Sequence, residues 1–229
     1  MTSLQTYSAE MNAPPPHILI MEDEEVVARG LEMVLTEEGY DVDLAFSRSE
    51  ALETFSAEKY DLLVADLKLP DGDGMEVVKT VKEENPETEV VIITGYASVN
   101  SAVDAMKIGV FDYLTKPFIE DEIKEAVDGA LRKIREEEAD RLHNRVAEQE
   151  SKLIQKQQLM AVLDRTAEDV EFWKHLMEDG SEALQEYNLS NEAKAAILSG
   201  DLGWINRNVG ELTQKQLMFI QGRLESEVW

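Results

Sequence analysis

Five short apolar runs, separated by stretches whose apolar residues recur at helical spacing, leave the first 135 residues few ways to fold. The runs lie near residues 17–21, 42–45, 62–66, 90–94 and 112–116, with amphipathic helices predicted near 24–38, 49–57, 75–84, 98–108 and 120–135. Strict strand and helix alternation predicts a parallel sheet covered by helices on both faces. Gly39, Gly74, Gly95 and Gly109 stand at the joins, where helix stops and tight turns are needed. Ser47 or Ser49 is expected to cap the second helix, and Ser98 or Asn100 the fourth.

In an open parallel sheet, chemistry sits beyond the carboxyl ends of the strands. Glu22 and Asp23 follow the first run, Asp66 ends the third, and Lys116 ends the fifth, just before Pro117. These side chains should therefore meet in one small acidic cup, which suits a hard divalent cation and can offer a carboxylate to a phosphoryl group. Glu24 and Glu25 are expected only to complement the dipole of the first helix. Asp71 and Asp73 read as turn residues rather than ligands.

Composition narrows the field. The absence of cysteine excludes disulfides, thiolate catalysis and zinc–cysteine sites, and fits a reducing cytoplasm. No run approaches the ~18 apolar residues of a membrane span, and the start of the chain lacks the features of a secretory signal. Residues 1–16 read as a disordered leader, stiffened by Pro14, Pro15 and Pro16. The net charge of -26 repels nucleic acid and anionic lipid. Residues 140–229, with 10 basic and 16 acidic side chains, still carry -6. No nucleic-acid or membrane partner is expected.

The motifs ILIMEDE, LLVADLKLPDGDGME, VVIITGYAS and FDYLTKPF, in that order, resemble the receiver domain of two-component response regulators. The resemblance runs from Ile18 to about Leu131. It implies an α/β, flavodoxin-like, doubly wound five-stranded domain at 17–135 with strand order 2-1-3-4-5. It also implies that Asp66 is the phosphoacceptor, taking a phosphoryl group from a histidine kinase or phosphotransfer protein. Mg2+ would be held by Asp23, Asp66 and the backbone carbonyl of Lys68, with Glu22 reaching it through water. Many members carry Asp-Asp where this chain has Glu22-Asp23. Lys116 would bind Asp66 and then the phosphoryl, after a cis peptide bond to Pro117, and Thr94 and Tyr113 would form the switch.

Beyond the receiver, residues 136–166 are predicted to be helical. Leu142, Val146, Leu153, Met160 and Leu163 recur at heptad intervals, interrupted by Glu138, Gln149 and Lys156. An exposed charged helix and a coiled coil in a homodimer both fit this pattern. Residues 167–229 read as a small all-helical output domain, with segments near 169–178, 183–186, 191–198, 202–208 and 213–227, Ser190 as a cap, and Trp204, Phe219 and Trp229 as core or interface anchors. At about 60 residues it lies near the lower limit of independent stability. It weakly resembles the small helical domain in small subunits of extradiol ring-cleaving dioxygenases, through residues 183–190 and 198–202. That implies a fold and a packing role but no iron site. His143 and His175 read as surface histidines. The implied output is dimerisation or binding of a protein target not identified by the sequence. A ligand-sensing or enzyme-regulating output, or a transcription factor, are the alternatives. Chemistry at Asp66 is the only catalysis expected.

Overall fold

The computed structural model describes residues 14–210, 212–214 and 216–218. Strands β1 (His17–Met21), β2 (Asp41–Ala45), β3 (Leu62–Asp66), β6 (Glu89–Thr94) and β7 (Asp112–Thr115) form one parallel sheet. Between β3 and β6 lies a two-residue antiparallel ladder of β4 (Lys68–Leu69) and β5 (Gly72–Asp73). The sheet order is β2-β1-β3-β6-β7, so the five long strands follow the expected 2-1-3-4-5 order.

Every residue of β3 and β6 is buried, as strands covered on both faces require. Alternate residues serve opposite cores. Leu19, Met21, Leu63, Ala65, Val90 and Ile92 pack with Phe55 of α2 (Arg48–Ala57), Val77, Val78 and Val81 of α3 (Gly74–Glu84), and Ala105 of α4 (Val99–Ile108). Ile18, Ile20, Leu62, Val64, Val91 and Ile93 pack with Leu31 and Leu35 of α1 (Glu25–Glu37) and with Ile123, Val127 and Leu131 of α5 (Glu120–Glu168). Of the alternative caps, Ser47 accepts from Glu50 N at α2, while Ser98 exchanges bonds with Ser101 at α4. Gly109 ends α4 in the left-handed region at φ 88°, where a Cβ would be strained.

The chain divides into two compact units, residues 1–139 and 140–229. Helix α5 is longer than the 120–135 segment expected of the receiver. It runs unbroken for 49 residues, with no proline and Gly129 as its one glycine. In the second unit the last turns of α5 pack with α6 (Val170–Glu178), α7 (Gly180–Ala183), α8 (Asn191–Ser199) and α9 (Leu202–Val209). Their core joins Leu159, Val162, Leu163, Phe172, Leu176, Leu184, Ile197 and Ile205. The helical core thus reaches back to Leu159, upstream of the expected start at 167. Helix α7 lies three residues before its expected start at Ala183. Asp169, Ser190 and Asp201 cap α6, α8 and α9 with their side chains. Trp204 lies partly buried against this core, whereas Phe219 and Trp229, the leader to residue 13 and most of the segment expected at 213–227 fall outside the described residues.

Candidate functional site

Strand register brings the expected side chains to one edge of the sheet. Met21 pairs with Ala65, so Glu22 emerges beside Asp66. Asp66 pairs with Ile93, one step before Thr94, and Thr94 pairs with Thr115, one step before Lys116. Lys116 N then donates to Thr94 O at 2.9 Å, and the Lys116–Pro117 bond is cis.

Lys116 Nζ donates to Asp66 Oδ2 at 2.6 Å and to Glu22 Oε2 at 2.5 Å. Asp66 Oδ1 accepts from Lys68 N at 3.0 Å, so each of its carboxylate oxygens has a donor. Glu22 is fully buried and Asp66 nearly so, whereas Asp23 is exposed at the rim. Glu22, Asp23 and Asp66 each offer an oxygen within 4.8 Å of the others. Among the described residues, the Lys116 ammonium bonds two of these three carboxylates, Glu22 and Asp66, and a hard divalent cation would relieve the remaining charge. The residues present fit such an ion.

The pairing of Glu22 with Lys116 is absent from the sequence expectation, which placed Glu22 at a cation through water. Burial raises the Glu22 carboxyl above its ordinary value, and nearby Asp66 adds to this, while the bond to Lys116 pulls the other way without cancelling it. For Lys116, burial alone would favour the neutral amine, but the bonds to Asp66 and Glu22 prevail and hold it above the ordinary lysine range. The sign of the Glu22 effect follows from linkage. A carboxyl raised on folding binds its proton more tightly in the folded state, so its contribution to stability is present below 4.5 and is lost as pH rises through the folded value. The melting temperature of metal-free protein is expected to fall across that window. Glu22→Gln should flatten the fall, and identical pH profiles for the two proteins would refute this.

The remaining expected residues surround this centre. Thr94 is fully buried, and its Oγ1 accepts from Tyr96 N at 3.3 Å. Tyr113 is half-buried, with its hydroxyl 3.0 Å from Ser101 Oγ on α4. The Lys68 ammonium lies 3.5 Å from the centroid of Tyr96. Asp71 accepts from Arg48 N and Ser49 N at the start of α2, and Asp73 caps α3 through Met75 N.

Gly74, Tyr96 and Ser101 are three further residues at this site. A Cβ on Gly74 would lie 2.2 Å from Asp66 O, so only glycine allows α3 to begin against the end of β3. The motif LLVADLKLPDGDGME contains Gly74, but the sequence reading gives it only the role of a join between strand and helix.

Residues 18–128 match the family model described as the response regulator receiver domain. They also align with solved structures along nearly the whole of those chains. A receiver domain from Clostridium thermocellum is 30% identical, with a TM-score of 0.50 over 52% of this chain and 97% of that one. The chain belongs to the response regulator receiver family. The beryllofluoride-activated NtrC4 receiver domain dimer is 34% identical to it, with a TM-score of 0.50 over 52% of this chain and 98% of that one. Among curated proteins, the transcriptional regulatory protein GlrR of Escherichia coli K12 is 37% identical over 121 residues, which take in 53% of this chain and 27% of GlrR. The response regulator protein PilR of Pseudomonas aeruginosa is 39% identical over 114 residues, 50% of this chain and 26% of PilR. The chain therefore spans about a quarter of these two relatives. Among the described residues no helix is long and apolar enough to cross a membrane.

Proposed function

We propose that Asp66 accepts a phosphoryl group from a phosphohistidine on a histidine kinase or phosphotransfer protein, and that the aspartyl phosphate switches self-association and binding of a protein target. The supporting observation is the double contact of Lys116 with Asp66 and Glu22. It orients the Asp66 carboxylate and keeps a cation where phosphoryl charge would accumulate. An Asp66 oxygen attacks phosphorus as the phosphorus–nitrogen bond breaks, and the electron pair leaves on the imidazole nitrogen. Mg2+, when held by Asp23, Asp66, the Lys68 carbonyl and Glu22, supplies charge neutralisation at the phosphoryl oxygens. Both Glu22 oxygens already accept, Oε2 from Lys116 and Oε1 from Glu24 N at 3.3 Å, which supports its reaching the ion through water.

After transfer, Lys116 exchanges its carboxylate contact for the phosphoryl, and the Thr94 hydroxyl turns toward the same oxygens. Tyr113 then leaves Ser101 for the space vacated beside Thr94, loosening α4. Incubation of the full chain with Mg2+ and acetyl phosphate tests the first step. Mass spectrometry should place one phosphoryl on the peptide containing Asp66, and a label elsewhere would reject the reading.

For the output, α5 exposes Leu142, Val146 and Leu153 at heptad spacing. The partner proposed is a second copy in parallel register. With Leu142 and Val146 in the seam, Arg145 of one helix falls opposite Glu150 of the other, a complementary pair in that arrangement. Light scattering should show the mass doubling with beryllofluoride and Mg2+, and Leu142→Lys with Val146→Lys should prevent it. An unchanged mass in the wild-type protein would exclude the switch. The names of GlrR and similar relatives make transcription the competing output. The -6 charge of residues 140–229 supports a protein target instead, located with the receiver in the cytoplasm. A mobility-shift assay on phosphorylated protein distinguishes these outputs.

A further inference from the structure

A second group of ligating side chains lies at the opposite end of β1 from the acidic cup. His17 begins that strand, Asp43 lies within β2, and Glu58 follows α2. His17, Asp43 and Glu58 each offer a ligating atom within 4.8 Å of the others. His17 Nδ1 stands 3.2 Å from Lys59 O, and a carbonyl can only accept, so this bond places the proton on Nδ1. Nε2 stands 3.0 Å from Asp43 Oδ2, which can also only accept, so the two are joined either by a second ring proton or by a cation on the Nε2 lone pair. The same Oδ2 accepts from the Tyr60 hydroxyl at 2.6 Å. Either link, proton or cation, is a positive centre shared between the His17 and Asp43 side chains.

We propose that His17, Asp43 and Glu58 bind a first-row divalent metal of the zinc class. Imidazole with carboxylates suits Zn2+ and disfavours Mg2+, which demands oxygen. The surroundings match those of a ligating set. The second ring nitrogen of His17 is fixed by a backbone carbonyl and the Asp43 carboxylate by a tyrosine, which set the tautomer and aim of the donors. Drawing three donors onto one ion at roughly 2.0–2.2 Å needs a small rotation of Glu58, which is exposed and free to make it. The ion would tie β1, β2 and the loop after α2 together. β1 separates it from the phosphoacceptor by the length of a five-residue strand, about 16 Å.

Calorimetric titration of the full chain with Zn2+, in excess Mg2+ to saturate the acidic cup, tests this. One Zn2+ should bind per chain and raise the melting temperature. His17→Asn should remove that site, and Glu58→Gln, a surface change that leaves the fold intact, should weaken it about tenfold or more. Phosphorylation of Asp66 should be unaffected in both variants. The proposal is overturned if wild-type protein takes up no Zn2+, or if both variants bind it as the wild type does. It is equally overturned if nitrogen NMR finds both His17 ring nitrogens protonated and unmoved by Zn2+, since the shared positive centre is then a proton.

Discussion

Asp66→Asn is expected to eliminate phosphoryl incorporation while leaving the receiver folded. Asparagine is nearly isosteric, and its carbonyl oxygen can still accept from Lys68 N or from Lys116. What disappears is the anionic nucleophile, because an amide oxygen cannot form a stable mixed anhydride with phosphate. The labelling rate with acetyl phosphate should fall by at least about a thousandfold, equivalent to roughly 4 kcal/mol of barrier. Lys116→Ala should slow labelling while preserving its position, since it removes the orienting cation and leaves the nucleophile. The melting temperature of Asp66→Asn should stay near or above that of the wild type, because one of three crowded carboxylates has lost its charge. Persistent labelling of Asp66→Asn at the wild-type rate would remove Asp66 from the mechanism, and with it the switch.

Much of this site was legible before the fold was known, because β-strands convert chain position into spatial position with little ambiguity. An apolar run in a parallel sheet ends at the same edge as its neighbours, so the residue after each run could be placed. The errors arose where a charge was hidden by a partner distant in sequence. Glu89 begins β6 fully within the core because Lys133 and Lys82 reach it at 2.7 and 3.7 Å, whereas its charge made the strand read as starting at 90. Glu22 is buried for the same reason, with Lys116 meeting it from 94 residues away. In the helical unit, heptad spacing correctly marked Leu163 as apolar but could not distinguish a helix paired with another copy from one packed into its own domain. The contacts of Leu159, Val162 and Leu163 with Phe172, Leu176 and Ile197 depend on the path of later helices, which local periodicity does not encode.

Two glycine substitutions of identical chemistry should shift stability in opposite directions. At Gly74 a new methyl group would meet Asp66 O at 2.2 Å and Leu67 Cα at 2.9 Å. Both are backbone atoms, so no side-chain rotation can relieve the overlap. Gly74 N is also held to Leu67 O at 2.8 Å, which fixes the start of α3 against the strand end. Gly74→Ala must push the helix and β3 apart, at a cost of about 1–3 kcal/mol from overpacking. The displaced peptide carries Asp66 itself, so labelling should slow even at temperatures where the variant remains folded. Gly30, within α1, has nothing within 4 Å of its added Cβ. There alanine only removes backbone freedom from the unfolded chain, and Gly30→Ala should stabilise by about 0.5–1 kcal/mol. Denaturant midpoints measure both changes, and the labelling rate separates them further, because only Gly74 touches the phosphoacceptor. Equal shifts in midpoint, or a Gly74→Ala variant that labels as fast as wild type, would show that α3 can retreat without moving Asp66.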